Sequence, residues 1–123
     1  MDVEIKFLWV YLWPILLFLT GVILSKSSPT KINSIFGYRT KRASLSNETW
    51  SYANLRLGKL SLIFGGILLY VSIFSEIIRY FNLQENDYIN IHAYSGLLVW
   101  PICIFIIQRE LRQKFDDNGK EKD

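Results

Sequence analysis

Residues 26–59 read KSSPTKINSIFGYRTKRASLSNETWSYANLRLGK, a basic polar stretch held between two long apolar runs. It carries seven of the chain's fourteen Lys and Arg residues (Lys26, Lys31, Arg39, Lys41, Arg42, Arg56 and Lys59) against one acid, Glu48. Working outward, Phe7–Leu24 is 18 residues without a formal charge, and Leu60–Ile78 is 19 residues with Glu76 near its end. A third run, Ile89–Ile107, holds His92, Tyr94 and Cys103 as its ionisable side chains of note. At a rise of about 1.5 Å per residue, each run covers roughly the ~30 Å of a bilayer's hydrocarbon core. The expectation is an all-α membrane protein: a single domain over 1–123 with three transmembrane helices, at about 7–24, 60–78 and 89–107. The loop 26–59 and a tail 108–123 complete it.

A secretory leader is the alternative for the first run. Its opening residues MDVEIK are net acidic rather than basic, and no small-x-small cleavage site follows Leu24, so the run is read as a span. The lone cysteine, Cys103, falls inside the third run and allows no intramolecular disulfide. The formal charge of +3 is set by topology rather than by nucleic-acid affinity. Lys6 and Arg79 are the basic residues on one side of the three spans. The other side holds the seven of the loop plus five in the tail (Arg109, Arg112, Lys114, Lys120 and Lys122). Twelve against two predicts an N-terminus outside, with the loop and the C-terminus in the cytoplasm.

Local patterns refine this outline. Pro14 and Pro101 lie inside spans one and three, where each removes a backbone hydrogen bond and predicts a bend. Trp9, Tyr11 and Trp13 suit an interfacial belt at the outer end. Ser61 and Gly65 form a small-xxx-small pair on span two, and Ala93 and Gly96 offer the same on span three. Close packing within the molecule is the expected use, with dimerisation as the alternative.

Within the loop, 29–38 reads as irregular. From Ser46 to Gly58, apolar residues recur at helical spacing (Thr49/Trp50, Ala53 and Leu57), with Ser44 or Ser46 as N-cap. That segment is expected to be an amphipathic helix lying at the cytoplasmic interface and leading into span two. The tail is expected to fray after Lys114.

Catalytic constellations are not visible, and one His with one Cys makes no metal site of familiar spacing. No cofactor is expected. Glu76 and His92 lie near the outer ends of adjacent spans and form a candidate intramembrane polar pair, the alternative being that both reach the headgroups. In the loop, Asn33, Gly37, Tyr38, Arg39 and Thr40 form a compact polar–aromatic cluster. Asn47, Trp50 and Asn54 follow at i, i+3 and i+7, on one helix face. Arg39 can fork two hydrogen bonds to a carboxylate or phosphate. The bland alternative is that Arg39, Lys41 and Arg42 bind anionic headgroups, at about 1 kcal/mol each.

The pattern KIN-x-x-x-GYRT, then N-x-x-W-x-x-AN-x-x-x-GK, over Lys31–Lys59 resembles the signature of the SdpI family of bacterial membrane proteins. Its best-known members confer immunity to a secreted peptide toxin, and some resemble sensors that capture a cytoplasmic repressor. The resemblance implies motif or partner-binding roles for Asn33, Gly37, Tyr38, Arg39, Thr40, Asn47, Trp50 and Asn54. Longer members carry further helices before this module, and roles of that region are not carried over. The implied function is immunity in a bacterial cell membrane, an apolar toxin packing in a groove lined by small residues of spans two and three. Two alternatives stand beside it. One is a signalling adaptor whose loop captures a soluble regulator. The other is a small enzyme or transporter subunit using Glu76 and His92.

Overall fold

The computed structural model describes residues 3–82 and 88–123; the side chains of 3, 4, 6, 7, 82, 88–91 and 93 are not described. Three helices account for most of the chain: α1 (Val3–Lys26), α2 (Asn47–Asn82) and α3 (Tyr88–Lys114). All three are long and apolar enough to cross a membrane. Pro14 and Pro101 lie inside α1 and α3 without ending them. Part of the connection between α2 and α3, residues 83–87, lies outside the described residues, as does the side chain of Ala93.

The helices run up, down and up. α1 packs most extensively against α2, and α3 touches both. Small residues set the spacing of the first pair. A Cβ on Gly65 would lie 2.7 Å from the backbone nitrogen of Phe18, and one on Gly21 would lie 2.5 Å from that of Leu62. Ser61 is fully buried beside them. Gly96 of α3 accommodates the Trp13 side chain in the same way. Close packing inside the molecule is thus what these residues serve. It also corrects the expected toxin groove, because Ser61, Gly65 and Gly96 are already covered. Gly66, by contrast, faces open space.

Two further expectations are corrected. The segment 46–58 is helical, but it forms no separate element in the plane of an interface. It is the first third of α2, which runs unbroken for 36 residues, about 54 Å against the ~30 Å of a hydrocarbon core. Gly58 does not break the helix, because its missing side chain admits Leu24 and Ser25 of α1. The face carrying Thr49, Trp50, Ala53 and Leu57 is buried against protein rather than left to lipid.

The tail is also ordered beyond α3. The Asp116 carboxylate accepts hydrogen bonds from the backbone N–H groups of Asn118 and Lys120, both at 2.8 Å, and Gly119 turns the chain at φ +77°. Such Asx chemistry with a left-handed glycine makes a tight reversal. Phe115 then pairs with Glu121 in an isolated antiparallel bridge. The start of α2, the end of α3, the loop and this turn form a compact head at one end of the bundle.

Candidate functional site

The head is organised around Asn54, which is completely buried on α2. Its Oδ1 accepts the backbone N–H of Tyr38 at 2.5 Å, and its Nδ2 donates to the carbonyl of Trp50 at 2.9 Å. One side chain therefore ties the loop to the helix, satisfying a buried backbone donor that has no ladder to join. Gly37 makes this approach possible. It sits at φ +116°, and a Cβ there would lie 2.5 Å from Asn54 Oδ1. Both backbone angle and space demand glycine.

Asn33 closes the turn before it. Its Oδ1 accepts from Ile35 and Phe36 at 3.1 and 2.8 Å, and its Nδ2 donates to Lys31 O. Asn47 Oδ1 accepts the Ile32 N–H at 3.3 Å, pinning the loop to the first turn of α2. Trp50 fills the centre, fully buried, and its Nε1 finds no acceptor among the described residues. Its energetic role is therefore apolar burial.

α3 reaches into the same head. Gln108 Nε2 donates to the Tyr38 hydroxyl at 2.9 Å and to Thr40 Oγ1 at 2.6 Å. Arg56 forks onto Glu110 with two bonds of 2.8 Å, and the Tyr52 hydroxyl donates to the same carboxylate at 3.1 Å. Ser46 caps α2. Its Oγ accepts the Thr49 N–H at 3.1 Å while Thr49 Oγ1 accepts the Ser46 N–H at 3.0 Å, a reciprocal capping box. Ser46 Oγ also donates to Gly119 O at 2.7 Å, which docks the tail turn. Backbone hydrogen bonds, that from Lys120 foremost, hold the Asp116 carboxyl below its ordinary range.

Of the eight motif residues, six are thus structural ties: Asn33, Gly37, Tyr38, Thr40, Asn47 and Asn54. Trp50 is the apolar centre they surround. Arg39 differs. It is exposed and, among the described residues, bonds within its own turn, to Ser34 O. Beside it Ile35 is 89% exposed and Phe36 is 45% exposed. Sequence reasoning missed Gln108, Glu110 and Gly119. Nothing local marks them, since their partners in the loop and in α2 lie up to 73 residues away.

At the far end of the bundle, Glu76 pairs with Arg79 at 2.9 Å. His92 Nε2 lies 3.2 Å from the hydroxyl of Ser75, the residue preceding Glu76. The two candidate polar residues therefore sit at matching depth on facing helices. A cavity of about 350 Å³ opens beside them, lined by Tyr11, Ile73, Glu76, Ile77 and Tyr80 among others.

Comparison with known proteins gives two findings. The model of the SdpI/YfhL protein family matches residues 30–108, from the loop turn through the end of the third apolar run. The chain is also similar to the uncharacterized protein YfhL of Bacillus subtilis (strain 168). They are 31% identical over 53 residues, 43% of this chain and 48% of that protein. The match thus spans about half the length of this curated relative. No solved structure matches the chain.

Proposed function

The chain belongs to the SdpI/YfhL family, and from that premise we propose that it is a multi-pass immunity protein of a bacterial cell membrane. It protects the producing cell against a secreted, membrane-active peptide. The family match over residues 30–108 carries this reading, because it takes in the whole loop motif together with α2 and α3 as far as Gln108. The excess of basic residues at the head end orients that end to the cytoplasm and the far end outward. An apolar peptide arriving from outside meets the far-end cavity beside Tyr11, Ile73 and Ile77 first. The scheme requires no catalysis.

A second reading, a signalling adaptor, draws support from one observation. Ile35 and Phe36 stand exposed beside exposed Arg39, an apolar tip with an adjacent cation that suits capture of a soluble regulator. The two readings separate in one experiment. A sensitive bacterium is challenged with an Sdp-like toxin peptide, with and without this chain, and with an Arg39→Ala variant at matched membrane levels. Immunity predicts survival with the wild type. Survival of the variant as well removes Arg39 from protection and leaves it to the adaptor reading, and its death places Arg39 in protection itself. No survival with a properly inserted wild type overturns the immunity reading for that peptide.

A further inference from the structure

The head carries a cleft that the motif does not account for. It is an open depression of about 530 Å³ between the loop and the end of α3, lined by Thr40, Lys41, Arg42, Gln108, Arg112 and Asp117 among others. That volume falls within the about 300–1,000 Å³ typical of small-ligand sites. Three of these side chains are cations and one is an acid, so the lining is net positive.

Its hydrogen-bonding character is one-sided too. Thr40 Oγ1 accepts from Gln108 Nε2 at 2.6 Å and from Ala43 N at 3.3 Å. Those two bonds fill the oxygen's acceptor capacity and leave its own proton for an acceptor in the cleft. Arg42 Nε is shielded from solvent yet has no acceptor among the described residues. The same guanidinium meets Asp117 only through Nη2, at 3.3 Å, and that carboxylate side chain is 95% exposed. An orphaned guanidinium N–H, a spare hydroxyl proton and two more cations call for an anion with several oxygens.

The depth of the cleft narrows the source. Gln108 and Arg112 lie one and five residues past the third apolar run, which ends at Ile107. That is about 2–8 Å along the helix, the thickness of a headgroup layer. We infer that this cleft binds a phosphate-type anion, with Asp117 as the internal carboxylate that an incoming phosphate displaces from Arg42. A phospholipid headgroup and a free phosphate share the required chemistry. The inference is independent of the immunity reading, since neither the toxin nor the far-end cavity enters it.

The test uses the full purified chain. One arm reads lipid retention by native mass spectrometry from nanodiscs of phosphatidylcholine with or without phosphatidylglycerol. The other titrates inorganic phosphate onto the protein in a neutral detergent. Arg112→Gln should weaken binding about tenfold and Asp117→Asn should tighten it a few-fold. Arg109→Gln removes an exposed cation outside the cleft and should change little. Preferential retention of phosphatidylglycerol supports the site with lipid as its source, and saturable phosphate binding supports it with a soluble source. Equal retention of both lipids together with no phosphate binding overturns it. So does an Arg109→Gln loss as large as that of Arg112→Gln, which would mean diffuse surface charge. A weakening by Asp117→Asn would overturn the displacement.

Discussion

The head and the membrane-length part of this molecule are held together by different physics. In the spans, α1 and α2 meet through residues that lack bulk: Gly21, Gly58, Ser61 and Gly65 bring backbones close enough for dispersion forces to act along the whole contact. In the head, a loop with no regular structure of its own is fixed by directional bonds from Asn33, Asn47, Asn54 and Gln108 around a buried Trp50. The difference has a cause. Lipid offers no competing hydrogen bonds and little hydrophobic drive, so small residues decide the packing there. At the aqueous end, irregular backbone must be satisfied group by group, so Asn and Gln decide it.

The comparison can be broken from the head side first. Trp50→Ala empties the apolar centre and should cost about 3–5 kcal/mol of head stability. Proteases should then cut within residues 27–46 while the chain still fractionates with membranes. If the spans were lost as well, the head and the spans would be one cooperative unit. Gly37→Ala should follow at about 1–3 kcal/mol, from the positive φ and the clash with Asn54 together. Gly66→Ala is its control, since nothing lies within 4 Å of the added methyl. Thermal unfolding in detergent should separate the two variants clearly.

Smaller changes sharpen the contrast. Arg56→Gln removes a forked but partly exposed ion pair with Glu110 and should cost no more than about 1 kcal/mol in the same assay. The mildest test is pH. The folded Asp116 carboxyl is held below its ordinary value, so its contribution is fully present above the unfolded pKa of about 3.9. That contribution is lost as pH falls through the lower folded value. Protection of the Asn118 and Lys120 amides, measured against their intrinsic exchange rates, should therefore fall below about pH 4, with the spans unaffected.

The sequence made the three spans legible because each is a continuous apolar run matched to a bilayer. It made Trp50, Ala53 and Leu57 legible as one apolar helix face, because helical periodicity is local, but it assigned that face to the membrane interface, whereas protein covers it. Gly37 and Asn54 stood out as motif residues, but their mutual contact did not, since it joins positions 17 apart through an irregular turn. Gln108 and Gly119 were invisible for the same reason at greater range: a side-chain amide or a turn carbonyl announces no partner. Gly58–Lys59 looked like a boundary between an interfacial helix and a span, because glycine usually weakens helices. Here its absent side chain is what lets α1 pass, and the helix continues.

That continuity makes α2 a shaft. Trp50 and Asn54 sit on the same rod as Ser72 and Glu76, with no joint between them. Any rotation imposed on α2 deep in the bilayer must turn the Asn54 face by the same angle against a loop that tolerates little movement. Each residue of a helix is worth about 100° of rotation, so the phase between the two ends is fixed by residue count alone. An event at the far end thus has a direct mechanical route to the loop, by torque rather than by diffusion.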